Sequence, residues 1–350
     1  GHSMNAMGDV KLPMGTGYIH GVISSLSRSF KLGTSIRQVG ILGRDEEVAV
    51  GGTIGGRAQM IPLTIQLNQA SDNRERVFKY RVVDNWFYTS RLTSSVVDYS
   101  MLSLRQPPVY HHLEYRVDID FGAYGHYRVN NRTAGGYMGL NAVTSDLARP
   151  IAAMMTNPFG PPVSPTNMTA SVTIREGDIT GKIIDGRLDG ALYRPGETIT
   201  GSVVVERFRK DRATIAFSLK LPEDIADGDY TLTASDMFHH LSLLNSRKPH
   251  LFEPRTRKAL MDSLNMLARP RGDRLYLAIP LKEEHNLAIG REELPDLPAG
   301  KSSIFAGAGG PDIYTFRRSL EKSIKTPYAV SGSRTFRIHI RKKTNERIVR

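Results

Sequence analysis

Cysteine is absent from the sequence. Its absence excludes disulfides, a thiol nucleophile and thiolate metal ligation, and leaves export neither required nor opposed. Long hydrophobic runs are missing too. The most apolar stretch, 140–170, is broken by Arg149, Pro150, Asn157 and a proline cluster, well short of the roughly 18 to 20 apolar residues a spanning helix needs. The glycine-rich segment 51–56 lacks the Gly-Lys-Ser/Thr ending of a nucleotide loop, and no internal repeat of fixed period is present. The chain opens Gly1-His2-Ser3, without an initiator methionine followed by basic and apolar runs. The natural N-terminus is therefore expected upstream, where a signal peptide stays an open alternative.

What is present is the composition of a folded protein, with 40% hydrophobic and 23% charged residues. At 350 residues the chain exceeds the size at which one core stops growing, so two or three packed units are expected. The formal charge of +12 matters only if clustered. It is: residues 315–350 hold eleven Lys or Arg against Glu321 and Glu346. Arg317, Arg318, Lys322 and Lys325, with Arg341-Lys342-Lys343, are able to contact phosphates or an acidic envelope polymer. Aromatics do not interleave with them and no nucleic-acid motif accompanies them, so the segment reads as a solvated basic tail with no specific nucleic-acid partner.

Residues 10–70 combine short apolar runs at 18–23, 39–42 and 48–50 with dense glycine, then alternate at Ile61, Leu63, Ile65 and Leu67. This is the pattern of a small barrel or sandwich. From Asp84 the period changes. Trp86, Leu92, Val96, Tyr99 and Leu102 fall on one helical face behind an Asp84 or Asn85 cap, predicting a helix over 86–104 stopped by Pro107-Pro108. Alternation at Leu113, Tyr115, Val117, Ile119 and Phe121, with Gly122 and Gly125 at a turn, predicts a hairpin over 112–130. A second helix is expected over 143–155, and the proline-rich 158–165 reads as a domain boundary. Strand patterns at 168–174, 181–184, 199–207, 214–221 and 230–233 suggest an immunoglobulin-like sandwich. Helical spacing returns at Met237, Phe238, Leu241 and Leu244, and at Leu260, Met261, Leu264 and Leu267. Residues 273–280 and 335–340 read as strands, 287–303 as a loop, and 307–310 as mobile.

The order of residues over the first sixty positions says more. It runs Gly1-His2, Gly8, Val10, Leu12-Pro13-Met14, His20, Ser25-Leu26, Ser29-Phe30-Lys31-Leu32, Val39-Gly40, Asp45, Gly52, Gly55 and Ile61-Pro62. This resembles the long multidomain members of the SpoIVB-type serine peptidase family. There a Gly-His pair after a strand is followed by a Pro-Met segment, a Ser-Phe-Lys segment, a turn, a Gly-x-x-Gly loop and a strand beginning near Ile-Pro. Tyr193-Arg194-Pro195-Gly196-Glu197, Leu219-Lys220-Leu221-Pro222 followed by Asp227-Gly228-Asp229-Tyr230, and Glu293-Leu294-Pro295 are similar to the C-terminal region of the same members.

The resemblance implies a chymotrypsin-like barrel in which the Gly-His histidine is the general base and a serine in a Gly-x-Ser-Gly-Ser-Pro-like loop is the nucleophile. In the long members that loop precedes the Gly-His pair. Here the chain departs from an active enzyme, because no such loop occurs between Gly1 and Arg350. The nearest strings, Gly201-Ser202 and Ser331-Gly332-Ser333, lack the pattern.

His2 is thus the candidate general base, since a serine hydroxyl is a poor nucleophile until an imidazole takes its proton; the plain alternative is an ordinary terminal histidine or a cloning remnant. Asp45 is the candidate carboxylate that orients the base, set against a turn role in which it bonds nearby backbone. Residues 51–56 read as tight β turns in preference to an anion loop. His111 and His112 point to opposite faces of a strand, so with His126 they make a poor zinc set. His239 and His240 sit about 100° apart on a helix. No metal or cofactor is expected.

The expected chain is mainly β with α+β segments. A peptidase-barrel-like β segment carrying the Gly-His motif spans 1–70, an α+β unit 71–165 and a β-sandwich 166–236; a mixed helical and β segment with the basic tail spans 237–350. The expected parent is a secreted, periplasmic or cell-envelope bacterial serine endopeptidase, or an inactive relative. Its upstream half carries the serine, so this chain alone is expected to be inactive. Expected partners are that upstream half and a protein substrate or envelope partner. The alternative is a non-catalytic envelope or surface β-module protein that binds a protein or polymer.

Overall fold

The computed structural model describes residues 11–24, 29–45, 50–70, 74–103, 108–134, 136–282, 286–295, 298 and 312–342. His2, the 307–310 segment and the 343–350 tail lie outside the described residues. The chain is mainly β. Among the described residues no helix is long and apolar enough to cross a membrane.

Strands β1 (Leu12–Ile23), β2 (Phe30–Asp45) and β3 (Val50–Ile54) form an antiparallel sheet in that order. The β1–β2 register slips between Met14 and Gly15, Thr16 and Gly17, and Ile19 and Gly21; the β2–β3 register slips between Leu42 and Arg44. Such irregularities bend a strand and increase its twist. Glycine completes the bend. A Cβ on Gly40 would lie 2.2 Å from the Thr53 carbonyl oxygen, and one on Gly52 2.7 Å from that of Ile41. Only a residue without a side chain lets these backbones approach so closely. The sheet is thereby bent and twisted.

Strands β4 (Met60–Gln69), β5 (Arg74–Val83), β6 (His111–Asp120), β7 (His126–Ala134) and β8 (Asn167–Glu176) form the next sheet, in the order β5-β4-β8-β6-β7. Only β4 and β8 run parallel. Helices α1 (Thr89–Leu102) and α2 (Gly136–Met155) cover its apolar face, joined from later in the chain, after α3 (Met237–Arg247), by α4 (Arg257–Ala268). Ile61, Leu63, Ile65 and Leu67 are buried with Leu113, Val117, Ile119, Leu147, Ile151 and Met154 in one core.

Two features differ from the sequence expectation. The strand at 167–176, grouped by its alternation with the sandwich, lies at the centre of this sheet between β4 and β6. Alternation identifies the buried face of a strand and not its neighbours. The proline stretch before it is packed rather than free: Val163 is buried and its N–H bonds to the Met154 carbonyl at 3.1 Å. Helix α1 is also turned over. Thr89, Thr93, Val97 and Ser100 are buried, while Leu92, Tyr99 and Leu102 face outward. The small residues let α1 sit close against the layer beneath, where the Thr93 hydroxyl meets the Met168 sulfur at 3.9 Å.

The remaining strands are β9 (Thr180–Leu188), β10 (Leu192–Tyr193), β11 (Thr198–Arg207), β12 (Lys210–Lys220), β13 (Gly228–Ser235), β14 (Arg274–Pro280), β15 (Leu287–Ile289), β16 (Glu292–Leu294), β17 (Ile313–Thr315), β18 (Ser319–Lys325), β19 (Ala329–Ser331) and β20 (Ser333–Ile340). Sheets β12-β11-β9-β19 and β10-β20-β13-β14-β18 pack face to face. Ile199, Val203, Val205 and Leu219 from one meet Leu232, Leu275, Leu277 and Ile338 from the other in a shared core. The sandwich therefore draws strands from 180 to 340, with α3 and α4 inserted between β13 and β14. Part of the expected 287–303 loop is a hairpin, β15–β16, because Gly290 takes the left-handed φ of 58° that its tight turn requires.

Candidate functional site

The residues that carry the family resemblance run along β1–β3. His2 lies outside the described residues, as does the side chain of Asp45, whose backbone closes β2 opposite Val50. What the structure describes is the surface of β1–β3. Tyr18 is 61% exposed, Ile36 68% and Ile54 84%, with Ile19, Val22 and Leu32 also exposed. A curved sheet closes into a barrel by burying its apolar side chains inside, and here those side chains lie open. His20 Nε2 lies 2.7 Å from the Thr34 hydroxyl, and the Tyr18 and His20 rings meet edge-on at 5.1 Å, linking β1 to β2. Among the described residues no carboxylate reaches His20, so this pair has a hydroxyl and an imidazole without the third member of a triad.

The other histidines are distributed, not gathered. His111 ties two loops, its Nδ1 lying 2.7 Å from the Pro108 carbonyl and its Nε2 accepting the Gly136 N–H at 3.1 Å. His112 is buried, with Nδ1 2.9 Å from the Gly177 carbonyl and Nε2 3.0 Å from the Arg132 guanidinium. His126 bonds Asp118 through Nδ1 at 2.9 Å. Among the described residues no three His, Asp or Glu side chains come together as a metal site.

One pair was missed by the sequence reading. The buried Asp236 carboxylate accepts the His239 N–H at 2.8 Å, lies 2.9 Å from His239 Nδ1 and accepts the Gly332 N–H at 2.6 Å. Ser331-Gly332-Ser333 therefore lies beside an Asp–His pair. Among the described residues no serine hydroxyl bonds to the His239 ring, so the arrangement acts as the N-cap of α3 and a brace to the β19–β20 connection. An aspartate just before a helical run was its only sequence signal.

Basic residues expected in a solvated tail belong partly to the sandwich. Lys322 on β18 donates to the Ser218 carbonyl at 2.7 Å, and Arg341 to Asp229 at 3.3 Å. A separate concavity of about 560 Å³ lies between Pro108, Tyr110, Glu176, Phe208 and Arg209. Its Arg209 guanidinium stands 5.5 Å from the Tyr110 ring centre, on a backbone with φ of 52°.

Burial holds His112, His240 and His250 below the ordinary imidazole value. Below about pH 6.5 the unfolded chain therefore binds more protons than the folded one, and stability falls as pH falls through that range. The thermal midpoint is expected to drop between pH 7.5 and about pH 5. A midpoint that stays level or rises over this interval would contradict the assignment.

Comparison with protein-family models, with curated proteins and with solved structures finds no match.

Proposed function

We propose that this chain is the C-terminal part of a SpoIVB-type serine endopeptidase. In this reading β1–β3 is one portion of a chymotrypsin-like barrel, and the remaining strands, with the serine nucleophile, lie upstream of Gly1. The observation that carries the proposal is an uncovered, bulged sheet with exposed Tyr18, Ile36 and Ile54, following the Gly-His motif in sequence. An apolar patch of this kind marks a surface that meets a partner.

His2 takes the proton of the serine hydroxyl as that oxygen attacks the peptide carbonyl, then returns it to the leaving amine; water repeats the cycle to release the acyl group. Asp45 holds the imidazole in position. The α+β unit and the sandwich, here assigned an immunoglobulin-like character, support the barrel portion. The parent works at the cell envelope or beyond it, on a protein substrate.

The test uses the upstream segment produced separately. It is expected to form a one-to-one complex with this chain and to suppress binding of a hydrophobic dye to it. Ile36→Asp and Ile54→Asp together are expected to abolish the complex while leaving the circular dichroism spectrum intact. An upstream segment that ignores this chain, or a complex indifferent to both substitutions, refutes the proposal.

A further inference from the structure

Helix α1 and the turn just before it direct large side chains away from the molecule. Trp86, Leu92, Tyr99 and Leu102 are 43%, 40%, 72% and 71% exposed. The exposed positions Leu92, Ser95, Tyr99 and Leu102, with the half-buried N-cap Tyr88 before them, are spaced by four, three, four and three residues from Tyr88 onward. This is the heptad rhythm of a seam that meets another helix. Strands of a completed barrel would not require it, since their side chains alternate with a period of two.

The flanking charges identify the second helix. Arg91 and Asp98 stand one heptad apart beside the seam. Neither makes an ion pair among the described residues, and Arg91 rests its guanidinium 3.8 Å from the centre of the Phe87 ring. Burial raises the Asp98 carboxyl above its ordinary value, as expected for a carboxylate held without a cation. Two copies of α1, set antiparallel about a two-fold axis, bring each Arg91 to Asp98 of the other copy. The same register places Leu92 against Ser95 of the second copy and Tyr88 against Tyr99. These pairings share a midpoint to within one residue, about 1.5 Å along the axis. The seam is complementary to itself in charge, and in size where leucine faces serine, as an isologous contact requires.

We propose that α1 is the contact of a two-fold homodimer, with a second copy of this chain as its occupant. A pair of four-turn helices buries less than the roughly 1,200–2,000 Å² of a standard interface, so the dimer is weak and reversible.

Sedimentation velocity on the 350-residue chain, from about 1 µM to about 1 mM, is expected to show a monomer–dimer equilibrium. The single tryptophan, Trp86, stands exposed in the turn that leads into α1, and its emission is expected to shift to the blue as the dimer forms beside it. Tyr99→Glu, at an exposed position, is expected to leave the fold intact and to raise the dissociation constant roughly tenfold or more. Arg91→Glu and Asp98→Arg are each expected to weaken the dimer by about tenfold, and combining them to restore it, a result that a fold defect does not produce. Monomer throughout, a dimer indifferent to Tyr99→Glu, or a double swap no tighter than the singles overturns the proposal. So does protection of Trp86 only in the presence of the upstream segment, which assigns the seam to that segment.

Discussion

If the proposed peptidase reading holds, His2→Ala in that full-length peptidase is expected to lower peptide turnover by roughly three to six orders of magnitude. Acyl transfer needs nucleophile, base and oxyanion donors together, and loss of the base alone removes most of the rate. Folding should be nearly unchanged, because a side chain used for proton transfer is not expected to be a packing element. A matched pair of measurements decides it: peptide hydrolysis by the wild type and variant, and their urea unfolding curves. In the proposed reading the isolated 350-residue chain supplies the base without a recognisable nucleophile loop, so a fluorophosphonate should leave it unlabelled. Wild-type turnover in the variant, or labelling of the isolated chain, removes the peptidase assignment.

Asp236→Ala is expected to cost the folded chain about 3–5 kcal/mol. The buried carboxylate holds two backbone N–H groups, from His239 at 2.8 Å and Gly332 at 2.6 Å. Bonds to a charged acceptor contribute about 1.5–3 kcal/mol each, and loss of an N-cap alone about 1 kcal/mol. Alanine takes away both acceptors at once. The substitution Asp236→Asn keeps one carbonyl oxygen for the cap but turns an NH₂ group toward Gly332 or His239, so it should recover only part of the loss. Chemical denaturation measures both variants. A cost below about 1 kcal/mol for the alanine variant would mean that the cap and the brace are dispensable.

Much of the local structure was legible in the sequence. The helices around Leu92, Leu241 and Leu264, and the hairpin through Val117 and Val129, follow from periodicity and turn residues. Neighbours were harder. Met168, Ala170, Val172 and Ile174 alternate as any half-buried strand does, and a parallel pairing to Leu63–Gln69, about a hundred residues earlier, leaves no local trace. The outward face of α1 was hidden by the same limit: an apolar stripe shows that a face wants cover, without saying whether this chain provides it. Of the candidate site, His2 and Asp45 came from the order of motif residues, and the missing nucleophile from a pattern that does not occur. Asp236 and His239 escaped notice because a capping aspartate looks alike in most helices.

The position of β20 bears on how the chain is made. This strand lies inside its sheet, flanked by β10 and β13, although β13 ends at Ser235 and β20 reaches Ile340. On a ribosome adding about 5–20 residues per second, the partner edge of β13 waits roughly 5 to 20 s for its neighbour. An unpaired edge is a template for any other strand. Synthesis that slows between α3 and β20 therefore lengthens the interval in which nascent chains join one another, and early termination there yields a sandwich with a gap through its middle.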